Sequence, residues 1–200
     1  MISTGVEKAW ELLGGLDPGV VCANAAAGFE AANGNYIVRS FCADFLVNPG
    51  ERSVRSENPL GAAIMNRFGH FFLHSCLWYL VHAKEISFSG KPISPLNIRG
   101  GGMFFRGSHI LPLDALAKKY GNDRQSFTQK GQELCAEILD FGDASLRLFP
   151  MPRIPATIIL WLGDDEFSPR ADLLLDSSCE MQVPLDIIWS TAMLTALVMM

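Results

Sequence analysis

Asp164, Asp165 and Glu166 stand side by side in this chain, with Asp172 and Asp176 just downstream. Adjacent carboxylates repel each other, so one can hold its proton while the next ionises, which is the arrangement of an acid–base pair. Their oxygens also suit a hard cation. The approach to them is apolar: a proline-bounded run ends at Trp161, and a second short run, Leu173 to Leu175, follows the turn. The spacing is not that of an EF-hand loop. The plain structural alternative is a solvated turn whose acids cap neighbouring amides or pair with Arg153 and Arg170.

A second cluster of opposite character is RGGGMFFRGSH, Arg99 to His109. Its glycines, Gly101 among them, free the backbone to aim N–H groups at an anion, which Arg99, Arg106 and His109 could then hold. Ser108 stands where a phosphate-binding Walker loop needs lysine, and Phe105 where a dinucleotide fingerprint needs its third glycine. The alternative is a glycine-rich bend that lets Phe104 and Phe105 reach the core. A ligand-binding face would bring this loop and the acid turn around one concavity, with Asp143, Arg153 and Trp161 as its surround. A third candidate is a histidine row. His70 and His74 share a helix face at i, i+4 and could hold a metal or the axial position of a tetrapyrrole, with Trp78 and His82 continuing the row. A histidine satisfied on a core helix is the commoner case.

Nucleophilic catalysis has no local signature, since the Gly-x-Ser-x-Gly elbow is missing. The five cysteines, Cys22, Cys42, Cys76, Cys135 and Cys179, form no Cys-x-x-Cys pair. They read as reduced core residues of a cytoplasmic protein. A formal net charge of -5, with scattered basic residues, argues against nucleic acid, because nothing is in excess to neutralise phosphates. Met1 to Trp10 lacks the apolar stretch of a signal peptide. No apolar run reaches the roughly 20 residues of a membrane span.

The elements that must position these residues are legible from caps and breakers. Thr4-x-x-Glu7 is a capping-box pattern, and Gly14-Gly15 stops that helix. Asn58-Pro59 opens a long apolar helix to about Ala83. Pro112 opens a helix that Gly121 closes, and Ser126-x-x-Gln129 opens another to about Leu139. Pro184 opens the last, whose apolar end must pack against the domain or a partner. Strands fall at Ala31 to Val38, around the turn Asn33-Gly34, and at Phe41 to Val47. Leu146 and Leu148 alternate with Arg147, which puts one strand face in water. Ala156 to Leu162 reads as a central strand, with Asp172 to Leu175 beside it. Asn48 to Glu57 reads as a surface loop. The expected fold is one α+β domain over residues 1–200, a mostly antiparallel sheet packed against several helices.

From about Leu77 onward the chain resembles an uncharacterised prokaryotic family, domain of unknown function 3786. The ordered fragments are Leu80 with the Gly90 to Leu96 loop, Arg99-Gly-Gly-Gly-Met-Phe-Phe105, Tyr120-Gly121, Asp143-Ala-Ser145, Pro152-Arg-Ile-Pro155, Leu160-Trp-Leu-Gly-Asp-Asp-Glu-Phe167, Leu175-Asp176 and Val183-Pro-Leu-Asp186. The first seventy residues resemble it only loosely. The resemblance implies a setting in anaerobes, near corrinoid, tetrapyrrole or low-potential electron-transfer chemistry, because members are often fused to a Cys-rich iron–sulfur segment. This chain lacks that segment, so a cluster would come from an iron–sulfur or corrinoid protein partner. The expected function is a non-catalytic module that binds a cofactor or partner. The alternative is an enzyme using Asp164, Asp165 and Glu166 for acid–base or metal-assisted chemistry on an anionic small molecule.

Overall fold

The computed structural model describes the backbone from Thr4, and side chains from Gly5, through Met200. The capping side chain expected at Thr4 lies outside them. The chain opens with α1 (Thr4–Gly14) and α2 (Pro18–Ala25). Next come four short strands, β1 (Gly28–Glu30), β2 (Asn35–Ser40), β3 (Ala43–Asn48) and β4 (Ser53–Arg55), paired in sequence order as an antiparallel meander. The long helix α3 (Pro59–His82) follows, capped where Leu60 N donates to Asn58 Oδ1 at 2.8 Å.

The rest of the chain builds a larger antiparallel sheet and its helices. In order these are β5 (Pro92–Ile93), α4 (Gly101–Phe104), α5 (Leu113–Tyr120), α6 (Arg124–Glu133), β6 (Glu137–Leu139), β7 (Ala144–Met151), β8 (Ile154–Trp161), β9 (Arg170–Asp176), α7 (Cys179–Gln182) and α8 (Leu185–Met199). The strand order is β5-β9-β8-β7-β6. The two sheets meet where Phe41 N donates to Phe149 O and Ser40 Oγ to Pro150 O, at 2.8 and 2.7 Å.

The core lies between the sheets and the helices. Helix α8 carries no charge after Asp186 and is buried on nearly every side, as an all-round apolar helix must be. It packs inside the molecule against α3, where Ser75 Oγ donates to Ser190 Oγ at 3.1 Å. Thr191 and Thr195 turn their hydroxyls back onto the carbonyls four residues earlier, so burial leaves neither unpaired. On the larger sheet Leu146, Ile158 and Leu173 form one register row facing the helices. Arg147, Thr157 and Leu174 form the adjacent row, which faces outward as period-two alternation requires. Among the described residues no helix is long and apolar enough to cross a membrane.

The expected α+β architecture is observed, with local corrections. The antiparallel pairing is divided between two sheets, and Asn33-Gly34 lies in the turn that precedes β2. The segment read as a loop, Asn48 to Glu57, contains β4. Helix α6 is capped by Asp123, not Ser126: Ser126 N donates to Asp123 Oδ1 at 2.9 Å. It stops at Glu133, and Glu137–Leu139 is a strand because its backbone completes the sheet beyond β7. Helix α2 is absent from the expected elements although Asp17-Pro18 carries its cap and first-turn proline. The cysteines are not all reduced. Cys42 and Cys135 are joined in a disulfide, with Cα atoms 5.2 Å apart. Contact between the β2–β3 turn and the end of α6 brings together residues 93 apart, which local spacing does not reveal.

Candidate functional site

The expected ligand-binding residues fall into three places. Asp164, Asp165 and Glu166 are exposed on the β8–β9 turn, in a shallow polar groove of about 480 Å³ lined by Asn122 and residues 163–169. Asp164 Oδ1 accepts from Glu166 N and Phe167 N, at 2.9 and 2.7 Å. Those backbone hydrogen bonds, Phe167 first, lower its pKa. Its carboxylate thus folds its own turn. The same sheet end holds Asp143, which accepts from Leu162 N at 2.8 Å, and Trp161, whose Nε1 donates to Asp172 at 2.8 Å. Arg170 pairs with Asp172 and lies over the Trp161 ring.

Arg153 sits at the opposite end of β8. Seven residue steps of strand separate Ile154 from Trp161, roughly 23 Å. Its guanidinium meets carbonyls, not an anion: Nε donates to Asn24 O at 2.7 Å, Nη2 to Ala23 O at 3.1 Å and Nη1 to Ile86 O at 3.3 Å. Its backbone N donates to the Tyr79 hydroxyl at 3.1 Å, which in turn donates to Ala25 O at 2.7 Å. Arg153 is therefore a stitch between α2, α3 and the segment that follows α3.

The glycine-rich loop packs against the N-terminal half of α8. The His109 ring stacks on Phe104, with centroids 4.5 Å apart, and Trp189 Nε1 donates to His109 O at 2.9 Å. Several N–H groups that an anion could use are already taken. Gly101 N donates to Ile98 O, Met103 N and Phe104 N to Gly100 O, and Phe105 N to Gly101 O. Gly101 is required for packing, because a Cβ there would come 2.0 Å from Pro95 O. Arg99 and Arg106 are exposed, and Arg99 N donates to Glu180 at 3.0 Å. The acid turn meets a different part of the molecule: Gly163 N donates to Gly121 O, and Tyr120 is bonded to Met199 at the far end of α8. Trp189 and Met199 are roughly 15 Å apart along that helix at 1.5 Å per residue. The expected common concavity is not formed: the groove at the acid turn takes no residue from Arg99 to His109.

His70 and His74 do lie together, with rings stacked at 6.4 Å. Burial lowers the His74 pKa, while Asp186 acts the other way. Among the described residues no group of three His, Cys, Asp or Glu gathers to hold a metal ion, so the pair has no third protein donor there.

A separate, more apolar concavity lies on the outer face of the larger sheet, with a volume of about 390 Å³. Its floor is the row Arg147, Thr157 and Leu174, with Pro155 beside it. One wall is the strap of residues 84–91, which crosses from α3 to β5 and carries Phe88, stacked obliquely on Phe149. The opposite wall is Phe141, on the β6–β7 turn. These two phenylalanines are 48% and 51% exposed, where an apolar ring has reason to be covered. Gly142 sets the Phe141 turn: its φ is 59°, and a Cβ would come 2.6 Å from Ile159.

Asp176 pins the strap. It accepts from Ser89 N, Ser89 Oγ, Gly90 N and Ser178 N, all at 2.8–2.9 Å. Burial opposes its ionisation, but the hydrogen bonds from Ser178 and Ser89 outweigh burial and hold its carboxyl down at about 2. Arg153 holds the same strap at Ile86. Arg147 is paired with Glu137 at 3.0 Å, both partly in water. The groove can take a molecule with an apolar body against the rings and an anionic group at Arg147. Reading the sequence by motif misses it, because it is assembled from residues of five separate segments. Its one local signal is the alternation that turns Arg147 outward.

No curated protein matches the chain. No solved structure matches it either. The model of the family DUF3786, domain of unknown function, matches residues 17–197. That match takes in α2, the small sheet and α3 as well as the fragments beyond Leu77, and the chain belongs to this family.

Proposed function

We propose that this chain is a non-catalytic binding module for a cofactor, or for a partner that carries one, and that the outer-sheet groove is the seat. The observation that carries the reading is the groove: about 390 Å³, walled by two half-exposed phenylalanines over a floor with a single cation. Small-molecule sites run from roughly 300 to 1,000 Å³ and are mostly apolar, with few polar groups to fix orientation. Flat rings stack on aromatic walls. The Arg147–Glu137 pair is solvent-exposed and so weakly held, which lets Arg147 turn to a ligand carboxylate. A macrocycle with an apolar face and polar side chains at its edge is the chemistry shared by corrinoids and other tetrapyrroles. That agrees with the setting the family resemblance implies, work beside a corrinoid or iron–sulfur protein in an anaerobe, with any cluster held by the partner. The alternative, an enzyme working through Asp164, Asp165 and Glu166, draws no support from carboxylates that stand in water.

The test is titration of the anoxically purified chain with an iron protoporphyrin and with a corrinoid, followed by visible absorption and tryptophan fluorescence. Saturable binding is expected, weakened about tenfold or more by Phe88→Ala and by Arg147→Glu, in line with the loss of a central anchor. Absence of saturable binding to both probes overturns the function. Binding that both variants leave intact overturns the seat.

A further inference from the structure

We infer that Cys42 and Cys135 form a reversible thiol–disulfide site, a clasp between the β2–β3 turn and the end of α6 that an external dithiol opens and a disulfide donor closes. Three observations converge. The Cα atoms stand 5.2 Å apart, within the range of a disulfide, although the residues are 93 apart in sequence. Cys135 lies on the surface and Cys42 is only half buried, so a thiol can reach the pair. Two of the other cysteines are withdrawn from this chemistry. Cys76 and Cys179 are 0% and 1% exposed, and burial pushes both thiols up to about 12. Cys22, partly buried, is also raised by burial. Thiolate is the reacting form, so Cys76 and Cys179 do not compete for exchange, and Cys22 is bonded to no other cysteine.

The backbone is arranged to present the two sulfurs. Phe41, next to Cys42, has φ 51° and is tied to Phe149 O. Cys135 has φ 53°, just past the end of α6, where Ala136 N donates back to Gly131 O. Two residues later the chain enters β6, a three-residue edge strand. The clasp thus ties the small sheet to a short edge strand of the large one.

The exchange balances without a cofactor. A thiolate of the dithiol attacks the exposed Cys135 Sγ, and Cys42 leaves as a thiolate that takes up a proton. The second thiol of the donor then attacks the mixed disulfide, releasing Cys135 as a thiol and the donor as a disulfide. Two electrons and two protons pass to the chain. A disulfide donor reverses both steps.

The experiment equilibrates the folded full-length chain in buffers running from fully reduced to fully oxidised glutathione. Thiols are trapped by alkylation and located by peptide mass spectrometry. Cys42 and Cys135 are expected to become alkylatable together, at one midpoint approached from either direction, while Cys76 and Cys179 stay unmodified. Amide exchange at residues 136–139 is expected to run about tenfold faster in the reduced chain, as local opening of an unclasped edge predicts. A pair that stays alkylatable in fully oxidised glutathione overturns the inference. So does a pair that stays bonded in the folded chain under excess dithiothreitol, which would make it a fixed staple. The double variant Cys42→Ser, Cys135→Ser must lose the redox dependence of exchange at residues 136–139. If that dependence persists, the pair is not its source.

Discussion

Replacing Arg153 by methionine removes the guanidinium and keeps an aliphatic stem of similar reach. Three hydrogen bonds to carbonyls are lost, to Asn24, Ala23 and Ile86. Two acceptors lie in the last turn of α2, where carbonyls lack helical partners and the helix dipole favours a cation. A hydrogen bond from a charged donor contributes about 1.5–3 kcal/mol net, but Arg153 is only partly buried and water can replace part of what is lost. The expected cost is therefore about 2–4 kcal/mol, less than three full bonds. With a urea slope of about 2 kcal/mol/M, the unfolding midpoint falls by about 1–2 M. Arg153→Lys should recover only part of this, because one ammonium cannot span three carbonyls as a planar fork does. Tyr79→Phe removes the hydroxyl between Arg153 N and Ala25 O, and combined with Arg153→Met it should show coupling of about 0.5 kcal/mol or more. Unfolding of Arg153→Met within about 0.5 kcal/mol of the parent, the range of an ordinary surface change, would refute this role for Arg153. Full rescue by lysine would also refute it, since a single point charge would then do the work assigned to the fork.

Gly142→Ala should destabilise by about 1–3 kcal/mol, since it adds a Cβ at positive φ and within 2.6 Å of Ile159; an unchanged thermal midpoint would refute the steric account. Asp176→Asn should loosen the strap, read as faster amide exchange at residues 86–91 with the sheet core unaffected. The folded carboxyl is depressed to about 2, below its unfolded value of about 3.9, so its stabilisation is complete above the unfolded value and is lost as pH falls through the folded one. Strap protection should accordingly hold at pH 5 and fade between about 4 and 2, and loss already at pH 5 would place its cause elsewhere.

The helices that the sequence makes legible are those whose ends carry their own chemistry. Asn58-Pro59, Pro112 with Gly121, and Pro184 each mark a boundary, because a cap or a missing N–H acts within three or four residues. Asp17-Pro18 belongs to the same class, and α2 could have been read from it. The end of α6 is different. Nothing in Cys135 to Leu139 forbids another helical turn, and the segment becomes a strand because β7 offers unpaired backbone to it. That decision is tertiary. The same holds for the division into two sheets and for the Cys42–Cys135 bond, both of which depend on contacts between residues far apart in the chain.

The residues whose charge or backbone suits a ligand illustrate why a site is harder to read than a fold. Asp164, Gly101 and Arg153 each carry groups that could serve a ligand, and each spends those groups on the chain itself. Asp164 closes its own turn, Gly101 admits the Pro95 carbonyl, and Arg153 holds three backbone oxygens. A polar group beside an apolar run needs a partner, and in a folded chain unpaired backbone is the most abundant one. Local sequence marks that need without marking what meets it. The groove reverses the situation. Phe88, Phe141 and Leu174 carry no chemical signal one at a time, yet they stay partly exposed on the outer sheet face after the core has closed. Apolar surface left uncovered in a shaped cleft is what a ligand can still bury, so on this fold Phe88 and Phe141 are better guides to binding than the acid turn.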